Sequence, residues 1–316
     1  MPQIAIGIDI GGTNTKFGIV DQDGKILQRG NMRTDEYPDI NQYVDGLYQL
    51  LQPMLDNLKD DEIKGIGIGA PNGNYYTGTI EYAPNLHWKG VIPLAKLVSE
   101  KFGLPASLTN DANAAAVGEM IYGAAKGMED FIMITLGTGV GGGIVANGQV
   151  IYGHDGFAGE LGHVIVRPGG RKHWGTSLQG SLEAYASATG IAITANEMLK
   201  QNPEAKSLLR EITPEDMDAK FIYECALKED KLAGKVYRYT GKILGEALAN
   251  FVMFSSPEAI ILFGGVAKAG DLIMNPAKKY MEKNLLPIYQ NKVKLIFSAL
   301  DEADAAILGA SALVWD

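Results

Sequence analysis

The sequence predicts an α/β protein of two lobes, each a mixed sheet with flanking helices, and three observations carry that reading. The chain of 316 residues exceeds the roughly 100 to 200 residues of a typical single domain. Stretches of strand-like alternation are interleaved with stretches of helical period. A strand, glycine turn and strand module near the N-terminus also recurs in mid-chain, which is the signature of a duplicated architecture and not of a short-period repeat array. The boundaries expected are a small N-terminal lobe over residues 1–113, joined by a closing C-terminal helix over 302–316, and a large lobe over 114–301. No low-complexity linker separates them.

Residues 4–10, Ile-Ala-Ile-Gly-Ile-Asp-Ile, read as a strand, Gly11-Gly12-Thr13-Asn14 as a turn, and Thr15 to Asp21 as a returning strand. The turn Asp21-Gln22-Asp23-Gly24 leads into a third strand from Lys25, completing an antiparallel meander. Between Ile40 and Leu58 the apolar positions Tyr43, Val44, Leu47, Leu50, Leu51, Met54 and Leu55 recur near every 3.6 residues, so a helix is expected. Ile63 to Ala70 is a further strand stopped by Pro71, Ile92 to Phe102 a helix, and Ala106 to Leu108 a short strand. The second meander comprises Phe131 to Leu136, Gly141 to Ala146 and Gln149 to Tyr152, with turns at Gly137 to Gly139 and at Asn147-Gly148. Residues 181–255 read as largely helical, Glu258 to Phe263 as a strand running into Gly264-Gly265, and Ala303 to Val314 as the closing helix.

Composition narrows the class. A hydrophobic share of 46% with 21% charged residues is ordinary globular usage. No apolar run approaches the roughly 20 residues of a membrane span, so no membrane partner is expected. The start Met1-Pro2-Gln3 shows no export signal. A single cysteine, Cys225, builds neither a disulfide framework nor a multi-cysteine metal site, and together these features point to a reducing cytoplasm. The net charge of −9 argues against nucleic acid as a partner, because phosphate neutralisation calls for a basic face.

Five segments carry chemistry. Asp9-Ile10-Gly11-Gly12-Thr13-Asn14-Thr15-Lys16 sets a carboxylate at a strand end, then bare backbone N–H groups, a hydroxyl and an ammonium, a turn suited to nucleotide phosphates with a metal ion or, more simply, a glycine hairpin beside a buried Asp. No Walker loop occurs. Gly137-Thr138-Gly139-Val140-Gly141-Gly142 matches the dinucleotide fingerprint in letters. That fingerprint must open a helix, whereas here a strand continues, so the loop is read as a second phosphate clamp. Phe263-Gly264-Gly265-Val266 follows an apolar strand and could admit an adenine or ribose against backbone. Asp111, within Thr109-Asn110-Asp111-Ala112-Asn113, sits at a helix start, either as a cap or as a general base taking the proton of an attacking hydroxyl. Glu160-Leu161-Gly162-His163 closes a glycine-rich polar loop and, with Glu183, offers partners for vicinal sugar hydroxyls.

Together and in this order, these segments resemble the ROK family of repressors, open reading frames and kinases, over nearly the whole chain. The resemblance implies the two-lobed actin, Hsp70 and sugar-kinase (ribonuclease H-like) fold and ATP-dependent phosphorylation of a hexose, glucose at O6 foremost, with N-acetylmannosamine, N-acetylglucosamine and other hexoses as alternatives. It implies Asp111 as catalytic base and Asn85, Asn110, Glu160, His163 and Glu183 around the sugar. Gly11, Gly12, Thr13 and Lys16 would form the first phosphate loop, Thr138 and Gly139 the second, and Gly264 with Gly265 the adenosine site, with Asp9 facing Mg2+. Relatives are commonly dimers or tetramers. The family usually carries a zinc site of cysteines after the Glu-Leu-Gly-His box, and Trp174, Thr176 and Ser181 stand at those positions here, so no structural zinc is expected. Loop 167–179 must then be ordered by packing, with Trp174 the candidate. A second departure is Asn72, where the family often has Gly. A sugar-responsive repressor would need a DNA-binding domain ahead of the first phosphate loop, where this chain has few residues, and an actin-like ATPase would not need the Glu160 and His163 pair.

Overall fold

The computed structural model describes residues 2–58 and 62–315. Met1, the segment 59–61 and Asp316, and with them the two ends of the expected lobe boundaries, lie outside the described residues. In chain order, the first part comprises β1 (Gln3–Ile10), β2 (Asn14–Asp21), β3 (Ile26–Arg33), α1 (Ile40–Asp56), β4 (Glu62–Gly69), β5 (Gly73–Asn74), β6 (Thr79–Glu81), β7 (Val91–Ile92), α2 (Leu94–Phe102), β8 (Ala106–Thr109) and α3 (Asp111–Ile121). β9 (Phe131–Leu136), β10 (Val140–Ala146), β11 (Gln149–Val150), α4 (Glu183–Ala186), α5 (Ala188–Gln201), α6 (Ala219–Leu227), α7 (Lys231–Ser255), β12 (Ala259–Phe263), α8 (Asp271–Asn284), β13 (Lys294–Phe297) and α9 (Glu302–Ala312) follow.

Two five-stranded sheets have the same plan, β3-β2-β1-β4-β8 and β11-β10-β9-β12-β13, and β5, β6 and β7 form a small third sheet. In the first sheet β1, β2 and β3 are antiparallel neighbours, and β4 and β8 continue in parallel. In the second, β10 and β11 are antiparallel, and β9, β12 and β13 run parallel. The recurrence seen in the sequence is therefore a recurrence of sheet topology. The chain divides into two compact units, residues 1–128, 143–159 and 298–316, and residues 129–142 and 160–297.

In the first unit, alternation along β1 sends Ile4, Ile6 and Ile8, all fully buried, to one face. There they join Ile66, Ile68 and Leu108 from the neighbouring strands and Tyr43, Leu47 and Leu51 of α1 in one apolar cluster. The opposite face is built differently. Gly7 pairs in register with Gly18 of β2 and Gly67 of β4, a row of three residues without side chains. α9 lies on that row so closely that a Cβ at Gly18 would come within 2.9 Å of Ile307. This flat bed brings the last helix against the first strands.

Capping fixes the helix starts. Asp39 accepts the Asn41 and Gln42 N–H groups, each at 3.0 Å, ahead of α1, and Asp230 accepts those of Leu232 and Ala233 ahead of α7. The helix expected from Ile92 begins at Leu94, because Pro93 disfavours helical backbone at the residue before it and Ile92 pairs in β7 instead. The second unit is mainly helical, and Cys225, fully packed in α6, is a free thiol. Among the described residues no helix is long and apolar enough to cross a membrane.

Candidate active site

Asp9 is the penultimate residue of β1, and two further elements of the first unit, β2 and α3, bring the predicted residues Lys16 and Asp111 to it. Lys16 faces Asp9 across the β1–β2 pair and Gly69 faces it across the β1–β4 pair. A Cβ at Gly69 would lie 3.7 Å from Asp9 Oδ1 and 3.9 Å from Asp111 Cα, so both acidic residues converge over a glycine. Burial, then the charge of Asp111, pushes the Asp9 carboxyl up to about 6, with Lys16 partly opposing. A buried carboxylate whose ionisation is opposed by a second one nearby forms with it a donor set that a divalent cation fits.

The turn between β1 and β2 is held from beneath. Thr15 is fully buried and its hydroxyl bonds to those of Thr34, at 2.9 Å, and Tyr43, at 2.8 Å. The Gly11 N–H donates to the Asn14 carbonyl, and that of Thr34 to the Thr13 carbonyl. Gly12 is needed for closeness, since a Cβ there would lie 2.6 Å from the Asn85 carbonyl oxygen. Asn85 itself is exposed, just ahead of buried Leu86 and Trp88. Trp88 anchors this segment by donating its indole N–H to the Tyr37 carbonyl and packing on Tyr43. Thr15, Tyr43 and Trp88 thus set the site without facing it. Asn72 answers the departure noted above: its φ of 51° is the left-handed backbone that a glycine would supply, and its amide donates to the Glu81 carbonyl.

At the start of α3 the two readings of Asp111 part. Asn110 is the cap, its Oδ1 accepting the Asn113 N–H at 2.7 Å. Asp111 is the first helical residue and accepts the adjacent Ala112 N–H at 2.9 Å. Its carboxylate keeps an open face although protein surrounds it, and that enclosure raises its pKa above the ordinary carboxylate value, with the backbone N–H bonds opposing.

In the second unit, the loop after β9 exposes Thr138, while Gly139 presses against Glu183, whose Oε2 accepts the Val140 N–H at 2.7 Å. Glu160 is exposed, and its Oε2 lies 3.8 Å from Nε2 of His163. The His163 Nδ1 is buried without a hydrogen-bond partner among the described residues, and its ring stands edge-on to His173 with centroids 6.0 Å apart. At the end of β12, Gly264 adopts a φ of 99°, open only to glycine, and Gly265 is exposed.

Loop 167–179 is a hairpin ordered by polar contacts, and this corrects the expected role of Trp174. That side chain lies against His173 but is 46% exposed. Order comes from the backbone bridges Lys172 to Gln179 and Ile165 to Ser181. Arg171 adds bonds to the Ala184 and Gly190 carbonyls and to Glu197. The residues present do not fit thiolate-bound zinc: Thr176 Oγ1 is bonded to His173, and among the described residues no three His, Cys, Asp or Glu side chains converge as a metal site.

A family model described as the ROK family matches residues 5–316. The chain belongs to the ROK family. The glucokinase of Halalkalibacterium halodurans is 36% identical to this ROK chain over 312 residues, covering 98% of it and 94% of the relative. That of Thermotoga maritima is 33% identical over 318 residues, with 99% and 98% covered. A ROK glucokinase from Streptomyces griseus, solved with glucose and AMPPNP, superposes with a TM-score of 0.79 at 33% identity, covering 98% of both chains. The fold is that of the actin, Hsp70 and sugar-kinase group, and the ROK protein is an ATP-dependent sugar kinase.

Proposed function

We propose that this kinase transfers the γ-phosphoryl group of ATP to O6 of glucose. The observation that carries the reading is the division of labour at the start of α3: Asn110 caps the helix, so the Asp111 carboxylate is left for chemistry. Asp111 accepts the proton of the attacking hydroxyl, the oxygen–phosphorus bond to the sugar forms as the bond to the ADP oxygen breaks, and ADP leaves with the electron pair. Gly11, Gly12, Thr13 and Lys16 hold phosphate oxygens, as do Thr138 and Gly139, and Gly264 and Gly265 receive the adenosine. Asp9 would hold Mg2+, which offsets negative charge on the phosphates. Asn85, the Asn110 amide nitrogen, Glu160 and His163 bind sugar hydroxyls. The lone pairs that Glu183 has left over from its protein partners do the same.

Glucose is favoured by the glucokinase relatives and by the glucose in the Streptomyces griseus structure. Assaying ADP release with glucose, N-acetylmannosamine, N-acetylglucosamine, mannose, fructose and allose tests it; a higher kcat/KM for any other sugar replaces glucose as the substrate. Asp111→Asn lowers turnover by about 10^2 to 10^4 with the fold intact, the usual reach of a general base. Turnover near that of the parent chain would remove Asp111 from the mechanism. The proposal extends to a cytoplasmic homodimer or homotetramer that binds no nucleic acid and holds no structural zinc, to be checked by sedimentation, DNA binding at physiological salt and metal analysis.

A further inference from the structure

Glu183 is engaged on both sides by the protein itself. Its Oε2 accepts the Val140 N–H at 2.7 Å, and its Oε1 lies 2.5 Å from His173 Nε2. Both side chains are well covered, at 4% exposure for His173 and 13% for Glu183. The other nitrogen of the imidazole settles the tautomer. His173 Nδ1 faces the backbone N–H groups of Gly175 and Thr176, at 3.2 and 3.0 Å, and the Thr176 hydroxyl at 3.0 Å. Two of those can only donate, so Nδ1 is the acceptor and the ring proton sits on Nε2, whose contact with the carboxylate is close but not aligned as a hydrogen bond. On its far side Glu183 meets the loop after β9 so tightly that a Cβ at Gly139 would lie 2.6 Å from Oε2.

We infer that His173 is a positioning residue for the Gly137–Val140 loop: by orienting Glu183, it fixes the Val140 N–H and with it the loop that holds nucleotide phosphate. This rests on the reading of that loop as a phosphate clamp. The hairpin carrying His173 thereby sets nucleotide affinity without touching nucleotide.

Two substitutions separate this role from a local one. Asn at 173 places its oxygen near the Nδ1 position, keeping the bonds to Gly175 and Thr176, but is too short for Glu183. Gln reaches the carboxylate and gives up the hairpin acceptor. Calorimetric titration with AMPPNP and the KM values for ATP and sugar are the readouts, with melting temperature as the control. His173→Asn is expected to weaken AMPPNP binding and raise KM for ATP about tenfold at an unchanged melting temperature, as Glu183 loses the side-chain contact that holds its Oε1. His173→Gln stays near the parent chain, and Glu183→Gln combined with His173→Asn loses no more than Glu183→Gln alone. The reverse order of Asn and Gln, unchanged affinity in both, or equal losses with a fall in melting temperature would each overturn the inference. Thr138→Asp, at an exposed position, tests the loop itself: unchanged AMPPNP affinity there overturns the phosphate reading. Weakened binding there with none in His173→Asn overturns only the role of His173.

Discussion

At the scale of single residues, the paired acids of the first unit govern how the protein responds to pH. Asp9 in the folded chain holds its proton up to about pH 6, against 3.8 for an ordinary Asp. Between those values the native state binds more protons than the unfolded chain, so stability falls as pH rises, and above them the cost is constant. Asp9→Asn removes it. In magnesium-free buffer this variant is expected to be more stable than the parent by on the order of 1 to 3 kcal/mol at pH 8, the gain fading toward pH 4. Thermal unfolding at several pH values checks this, and a gain that grows on acidification contradicts it. Asp111, raised mainly by burial, works only when ionised, so kcat/KM should fall on the acid side with a midpoint above the usual carboxylate value of about 4. A midpoint at or below that value would exclude Asp111 as the group titrating.

At the scale of elements, the placement of the Asp111 carboxylate depends on how α3 is fastened. Gly118 of α3 and Gly309 of α9 meet at their crossing: a Cβ at 118 would lie 2.8 Å from the Gly309 Cα, and one at 309 would lie 2.7 Å from the Ala114 carbonyl oxygen. Gly118→Val forces the helices apart and should cost about 1 to 3 kcal/mol by overpacking, with a fall in turnover as Asp111 shifts. Urea unfolding and kinetics on the same samples test it; unchanged stability would mean that the crossing is slack. Near its C-terminal end α3 is tied by Glu119, fully buried, which accepts the Ala124 N–H at 2.6 Å and the Ser298 hydroxyl. What was legible in the sequence follows from such local chemistry. Alternating isoleucines announced β1, and the period of Tyr43, Leu47 and Leu51 announced α1. The two- and three-residue strands β5 to β7 were not readable, because their pairing is set by the surrounding fold. Neither was the contact of His173 with Glu183, ten residues on, since the register of the intervening hairpin creates it.

At the scale of the whole molecule, the two sheets of equal plan explain why a strand, glycine turn and strand module recurs in the sequence: each glycine turn follows the first strand of its meander, after Ile10 and after Leu136. A ligand that binds the native chain alone raises its unfolding free energy by RT ln(1 + [L]/Kd), about 2.7 kcal/mol at a hundredfold excess over Kd. Thermal shifts across a hexose panel therefore rank sugars independently of turnover, and the sugar with the largest shift at a fixed concentration should be the best substrate. A mismatch between the two rankings would show that binding and phosphorylation select differently.

The one sulfhydryl of the chain has a practical use. Cys225 is locked inside α6, and all other positions lack that chemistry. A thiol-directed dye added to the native protein can therefore react only when the helical unit opens. Its labelling rate is a clock for breathing of that unit alone, silent about the other, and slowing of the clock by nucleotide would report engagement there without any enzymatic readout.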